Sequence, residues 1–252
     1  MKSVNPFDLS GKTALVTGSS RGIGRAIGLW LGRAGAHVIF HGVQLGDALK
    51  QTLADAQAEG ISCEYVTGDM GDPEVPAKLA AACADKVDIL VLNASVQQYM
   101  HIHDFEDDAF QRMVNTNLRS AFLMLKAFLP AMKARKWGRI INIGSVNQGR
   151  PASRLSIYAT TKAALQNLMD TAAKEYAADG ITVNTIVPGI IATDRNSATL
   201  ADPVKAKALH ACVPAYRFGT PEDCAGAVVM LAADCSSYIT GASIPIAGGM
   251  QL

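Results

Sequence analysis

Short apolar runs alternate with longer helix-like segments along most of the chain. Seven runs predict strands: Thr13–Thr17, His37–His41, Ser62–Val66, Val87–Leu92, Arg139–Ile143, Thr182–Val187 and Ser243–Ile246. Several are almost continuously apolar rather than alternating, the pattern of parallel strands buried on both faces. Between them, Asp47–Glu59, Asp107–Lys136 and Ile157–Ala178 read as helices. Another helix is expected to open at Asp72-Pro73-Glu74, with Asp72 as N-cap and Pro73 in the first helical position. Repeated β-α-β units imply right-handed crossovers, hence an α/β fold with a doubly wound parallel sheet and helices on both faces.

No linker, low-complexity tract or internal repeat interrupts this alternation, so residues 1–252 are expected to form a single domain. The Ala-rich stretch 194–214 is the one long segment without a strand signal, with Pro203 and Pro214 near its ends. It follows a strand and Pro188-Gly189, at the sheet edge where α/β sites form, and reads as a lid over a substrate pocket.

Composition narrows the function classes. Of 252 residues, 49% are hydrophobic and 18% charged, and 23 Lys and Arg against 22 Asp and Glu leave a net charge of +1. That balance argues against nucleic acid or an anionic membrane as the main partner. No apolar stretch reaches the length of a membrane span, and Met1-Lys2-Ser3-Val4-Asn5-Pro6 lacks the apolar core of a signal peptide. The five dispersed cysteines, with no CxxC pair, read as buried thiols in a reducing compartment, so a cytoplasmic location is expected. His101 and His103 have no carboxylate or cysteine at ligand spacing, and no metal site is expected.

Two groups of residues carry chemistry. Thr17-Gly18-Ser19-Ser20-Arg21-Gly22-Ile23-Gly24 lies between the first strand and a helix. Gly18 permits a tight turn, Gly22 lets backbone approach a pyrophosphate, and Gly24 lets the helix pack closely on the sheet, with free N–H groups at the helix start facing the phosphates. The spacing is GxxxGxG rather than GxGxxG, but its position between strand and helix points to a dinucleotide. Tyr158 and Lys162 then stand one helical turn apart. A phenol ionises near pH 10, and a lysine cation beside it is expected to favour the phenolate, so that the tyrosine exchanges protons near neutrality. Ser145 closes the fifth strand, where its hydroxyl can donate to a carbonyl oxygen.

Taken together, these residues resemble the short-chain dehydrogenase/reductase family over nearly the whole chain. The matching pieces are Thr17–Gly24, Asp69, Asn93-Ala94, Asn117, Ser145, Tyr158, Lys162, Pro188-Gly189, Thr193 and Gly248-Gly249, in order and at the right spacing. The length excludes the extended branch of that family, and YxxxK argues against its divergent enoyl-reductase branch. The resemblance implies a single-domain Rossmann fold of about seven strands. It makes Tyr158 the general acid/base and Ser145 the group that polarises the substrate carbonyl. Lys162 would hold the nicotinamide ribose and tune the phenol, and Asn117 would anchor a water in a proton relay. Besides Tyr158 and Lys162, it implies cofactor contacts at Gly18, Ser20, Arg21, Gly22, Ile23, Gly24, His41, Asp69, Met70, Asn93, Ala94, Pro188, Gly189, Ile191 and Thr193, with Asp69 at the adenine and Thr193 at the nicotinamide amide. One departure is Ser95, where the family usually has glycine after Asn-Ala.

NADP(H) is expected over NAD(H), which stays possible. Gly42 stands where NAD-preferring relatives carry an acidic residue, Arg21 is placed to reach a 2′-phosphate, and His41 could add a donor. The loops after strands four and five carry Gln97, Gln98, Asn147, Gln148, Arg150 and Arg154. Of these, Gln97, Asn147, Gln148 and Arg154 are the candidate substrate contacts, and their polar, partly basic character favours a sugar, polyol or oxo acid. The expected activity is NAD(P)-dependent interconversion of an alcohol with a ketone or aldehyde. The alternatives are a 3-oxoacyl-thioester (acyl-carrier-protein) reductase, whose partner would dock on the basic run Lys133–Arg139, and a dinucleotide-binding regulator without turnover. A homotetramer is expected, built on the small and apolar residues Ala121, Phe122, Leu125, Phe128, Ala163, Ala164 and Leu168 and on the C-terminal segment.

Overall fold

A computed structural model describes residues 5–252. Residues 1–4, part of the stretch read above for a signal peptide, lie outside the described residues. All seven apolar runs are strands: β1 (Thr13–Val16), β2 (His37–Gly42), β3 (Cys63–Thr67), β4 (Ile89–Leu92), β5 (Gly138–Ile143), β6 (Ile181–Pro188) and β7 (Ser243–Ile246). They form one parallel sheet in the order β3-β2-β1-β4-β5-β6-β7. The strand order therefore reverses between β1 and β4, whose ends lie side by side with Val16 opposite Val91. Such a switch point is where an open α/β sheet leaves a crevice for a ligand.

The continuous apolar runs follow from two cores. Ala14, Val16, Val91 and Ile141 face a layer containing α1 (Gly22–Arg33) and α9 (Pro221–Ala232), with α2 (Asp47–Ala58) at its flank. Leu15, Leu90, Ile140 and Val183 face the opposite layer, made by α3 (Val75–Cys83), α5 (Ser120–Arg135) and α6 (Ser156–Tyr176). Alternate residues thus serve opposite cores and both must be apolar. The edge strands β3 and β7 are buried much less.

Several expectations are corrected. Helix α3 begins at Val75, because the Asp72 carboxylate accepts from the Glu74 N–H and the Asp72 carbonyl from the Val75 N–H; these bonds make a turn around Pro73, and it is Pro76 that sits in the first helical turn. The predicted helix Asp107–Lys136 is α4 (Asp107–Val114) joined to α5 through the π-helical turn Asn115–Arg119, where Asn117 lies. Of the residues assigned to a subunit interface, Ala121, Leu125 and Phe128 are buried in the core instead, while Phe122, Ala163 and Ala164 are exposed. Cys83 and Cys224 are buried, and burial pushes their thiols up to about 11 and about 12, but Cys212 and Cys235 are exposed. Among the described residues no helix is long and apolar enough to cross a membrane.

Candidate active site

A cleft of about 770 Å³ opens above the C-terminal ends of the strands, between the glycine loop, the β4 and β5 loops and the segment after β6. The glycine loop is pinned on both sides. Thr17 Oγ1 donates to the Val91 carbonyl and accepts from the Asn93 and Ala94 N–H groups, and Asn93 Nδ2 donates back to the Thr17 and Gly18 carbonyls at 2.8 and 3.0 Å. Gly18 has φ +64°, and a Cβ there would lie 2.9 Å from the Ala94 backbone. A Cβ on Gly24 would stand 2.5 Å from both the Gly18 carbonyl oxygen and Asn93 Nδ2. Helix α1 starts at Gly22 with no side-chain cap and no acidic residue in its first turn. Its first N–H groups and the positive end of its dipole thus face the cleft beside a close-packed glycine turn, an arrangement that fits a dinucleotide pyrophosphate.

The expected cofactor contacts divide. Gly18, Ser20, Arg21, Gly22, Ile23, Gly24, Asn93, Ala94, Pro188, Gly189, Ile191 and Thr193 line the cleft, as do Tyr158 and Lys162. His41, Asp69 and Met70 do not. His41 is buried; its Nδ1 accepts from the Gly18 N–H at 2.9 Å and its Nε2 lies 3.0 Å from the Gly68 carbonyl, so the ring is neutral with its proton on Nε2. Burial lowers its pKa, and with both nitrogens taken it offers no donor to a phosphate; it supports the glycine loop instead. Asp69 accepts from the Gly71 N–H and from Arg112 at 2.7 Å, and Met70 belongs to the hydrophobic core.

The catalytic candidates come from three elements. Ser145 follows β5 in extended conformation and starts a short 3₁₀ turn, where its Oγ accepts from the Asn147 N–H. Tyr158 and Lys162 project from the first turns of α6, both buried. The Lys162 ammonium donates to the Ile143 carbonyl at 2.7 Å and lies 5.8 Å from the Tyr158 ring centroid. Burial, assisted by the charge of Arg195, lowers Lys162 to about 7. Burial raises the Tyr158 phenol, while Arg195 and the Ser145 hydroxyl pull it partly back. The expected depression of Tyr158 by Lys162 is therefore not realised among the protein's own groups, because burial raises the phenol and disfavours the ammonium beside it. Asn117 is buried, and its side chain is not free for a water. It accepts from the Val96 N–H at 2.8 Å and donates to the Val96 carbonyl and to Thr161, clamping the β4 loop onto α6.

Of the substrate candidates, Gln97, Asn147 and Arg154 line the cleft. Gln148 does not, because its side chain accepts from the Ser145 N–H as a capping box and donates to Gln166. Arg150 binds the Met250 and Leu252 carbonyls. The segment 194–214 folds as a 3₁₀ turn, α7 (Ser197–Leu200) and α8 (Pro203–Ala211), capped by Asp202, and walls the cleft through Thr199, Leu200, Lys205, Ala208 and Leu209. His210 turns away from the cleft and packs on Phe218. Sequence reasoning missed Tyr99, Ser95 and Arg195, which also line the cleft. The basic run is split: Lys133 and Lys136 share Asp179 at the surface, Arg135 binds the Asp85 and Val87 carbonyls, and Arg139 is buried against Trp137. His101 and His103 stack on each other.

A doubly wound parallel sheet, a glycine turn at its switch point and a Ser-Tyr-Lys set facing the same cleft define a dinucleotide-dependent oxidoreductase. The chain matches the short chain dehydrogenase family over residues 12–203 and belongs to it. It is 34% identical over 248 residues to L-rhamnose 1-dehydrogenase (NAD(P)(+)) of Sphingomonas sp. strain SKA58, covering 97% of this chain and 98% of that one. Among solved structures it resembles a 3-oxoacyl (acyl-carrier-protein) reductase from Agrobacterium tumefaciens C58 with NADP bound, at 39% identity and TM-score 0.93 over 99% of both chains. It also resembles a gluconate 5-dehydrogenase from Burkholderia cenocepacia J2315 in complex with NADP and tartrate, at 29% identity and TM-score 0.91 over 97% of both. The chain is thus an NAD(P)-dependent oxidoreductase acting on CH–OH groups.

Proposed function

We propose that this protein is an NADP(H)-preferring dehydrogenase that interconverts an alcohol and a ketone or aldehyde on a small hydroxylated or acidic compound of the sugar, polyol or oxo-acid type. The observation that supports it most is the placing of Ser145, Tyr158 and Lys162 in the cleft that the glycine loop enters. The bound nicotinamide supplies or accepts the hydride. The chain's own part is to hold and move a proton. Ser145 Oγ already accepts from Asn147, which leaves its O–H for the substrate oxygen. Tyr158, kept protonated by burial, gives its phenolic proton to that oxygen on reduction and takes it back on oxidation. Lys162, as an ammonium, keeps two N–H groups beyond its bond to Ile143 for a ribose. The glycine turn and the start of α1 hold the pyrophosphate, while Thr193 and Pro188-Gly189 wall the nicotinamide end.

The preference for NADP(H) is supported by the end of β2, where Gly42, Val43 and Gln44 present no carboxylate to repel a 2′-phosphate. With His41 turned inward, Arg21 is the residue proposed to meet that phosphate; it is exposed at the mouth, 3.7 Å from Asp194. A 3-oxoacyl-thioester reductase is the second reading, favoured by the likeness to the Agrobacterium enzyme. The test is a turnover screen of sugars, polyols, oxo acids and oxoacyl thioesters, followed by nicotinamide absorbance with both cofactors, in wild type and Arg21→Ala. Turnover of a sugar, polyol or acid, with an NADP(H) preference that shrinks in the variant, is expected. A tenfold preference for NAD(H), or turnover of thioesters alone, overturns the proposal.

A further inference from the structure

We propose that Arg195 selects the substrate by binding a carboxylate on it, and that Ser95 positions the guanidinium for that contact. The inference rests on the reading of the cleft as an oxidoreductase site. Arg195 lies in the 3₁₀ turn Asp194–Asn196, two residues beyond Thr193, and faces across the cleft to the β4 loop. Its Nη2 donates to the Ser95 carbonyl at 2.7 Å and its Nη1 to Ser95 Oγ at 3.2 Å. A guanidinium has five N–H donors, so three remain for a ligand. Any residue at 95 would offer the carbonyl, but the second bond needs a hydroxyl there.

The charge pattern of the cleft supports a carboxylate. Asp194 is the only acidic side chain among the described lining residues, and it faces Arg21 at 3.7 Å. Lys205 pairs with Asp202. Arg195 and Arg154 are paired with no carboxylate among the described residues. Arg154 is held in a left-handed conformation, φ +65°, with its carbonyl bonded to the Met100 N–H. Two guanidiniums with free donors therefore share the cleft with Tyr158. The charge of Arg195 also acts on Tyr158 and Lys162, which line the same cleft. A neutral sugar would leave this charge unmatched, whereas a hydroxy or oxo acid would pair with it through strong charge-assisted hydrogen bonds.

The test is calorimetric titration of the NADP⁺-loaded enzyme with D-gluconate and with the matching neutral probe, D-gluconamide. Wild type is expected to bind the acid at least about tenfold more tightly than the amide, the scale of a charge-assisted hydrogen bond. Arg195→Gln should abolish that discrimination while leaving the weaker amide affinity nearly unchanged, Arg195→Lys should retain part of it, and Ser95→Gly should fall between wild type and Arg195→Gln. Equal affinity for acid and amide in wild type, no binding of either, or an equal loss of both in Arg195→Gln overturns the proposal. The oxidoreductase reading is separated by Tyr158→Phe, which should keep acid-selective binding and lose turnover. If selectivity persists and turnover is also unimpaired, the role of Tyr158 falls and that of Arg195 stands.

Discussion

Replacing Lys162 by methionine should stabilise the protein at mildly acid pH while destroying its activity. The ammonium is buried and lowered from 10.5 to about 7, which corresponds to about 5 kcal/mol of penalty on the charged form. Methionine removes that penalty and keeps most of the volume. It also removes the donor to the Ile143 carbonyl, and leaving that oxygen unpaired costs about 1–3 kcal/mol. The net gain expected at pH 6 is thus about 2–4 kcal/mol. The sign reverses with pH. Below pH 7 the lysine is charged in both states and the native state bears the whole cost. Between about 7 and 10.5 only the unfolded lysine is protonated, so wild type gains stability as pH rises and the advantage of methionine disappears. Urea unfolding of both proteins at pH 6 and pH 9.5, at matched protein concentration, measures the difference. A variant less stable than wild type at pH 6, or a gap that does not shrink with pH, would refute the argument that the site stores unfavourable desolvation for function.

Gly24→Ala should lower stability by about 1–3 kcal/mol and weaken NADP(H) binding, since its Cβ would stand 2.5 Å from the Gly18 oxygen and Asn93 Nδ2; thermal melts and cofactor fluorescence titration measure both, and an unchanged melt would contradict the packing described. Exposed Phe122, Ala163 and Ala164 on α5 and α6 and the open edge of β7 should bring four copies together. Light scattering at micromolar concentration should then show a tetramer, and a single species at 26.5 kDa would refute this.

The strands were legible because each inner strand serves two cores, so its apolar run is nearly unbroken, and the glycine turn and the Tyr158–Lys162 spacing are local patterns contained within a few residues. What sequence could not supply was direction. Asp72 reads as a helix cap, but the Glu74 and Val75 N–H groups bond to it to make a turn instead. His41 sits at the right strand end for a phosphate contact, yet the Gly18 N–H and Gly68 carbonyl claim its ring. Gln148 reads as a pocket residue until Ser145 is seen to need its cap. Arg195 gave no signal because its partner, Ser95, is 100 residues away in the chain. Ser95 itself carried the one available hint, as a departure from the glycine the resemblance implies.

The central claim is that Tyr158 carries the proton while the glycine loop and Lys162 hold the cofactor. It is tested most directly by single-turnover oxidation of bound NADPH in Tyr158→Phe, with NADPH affinity measured on the same samples by fluorescence. The account predicts affinity within about twofold of wild type and a turnover rate lower by at least about a hundredfold, the scale of a positioned acid/base. A phenylalanine variant that turns over within about threefold of wild type, where general acid catalysis should fail, would contradict it.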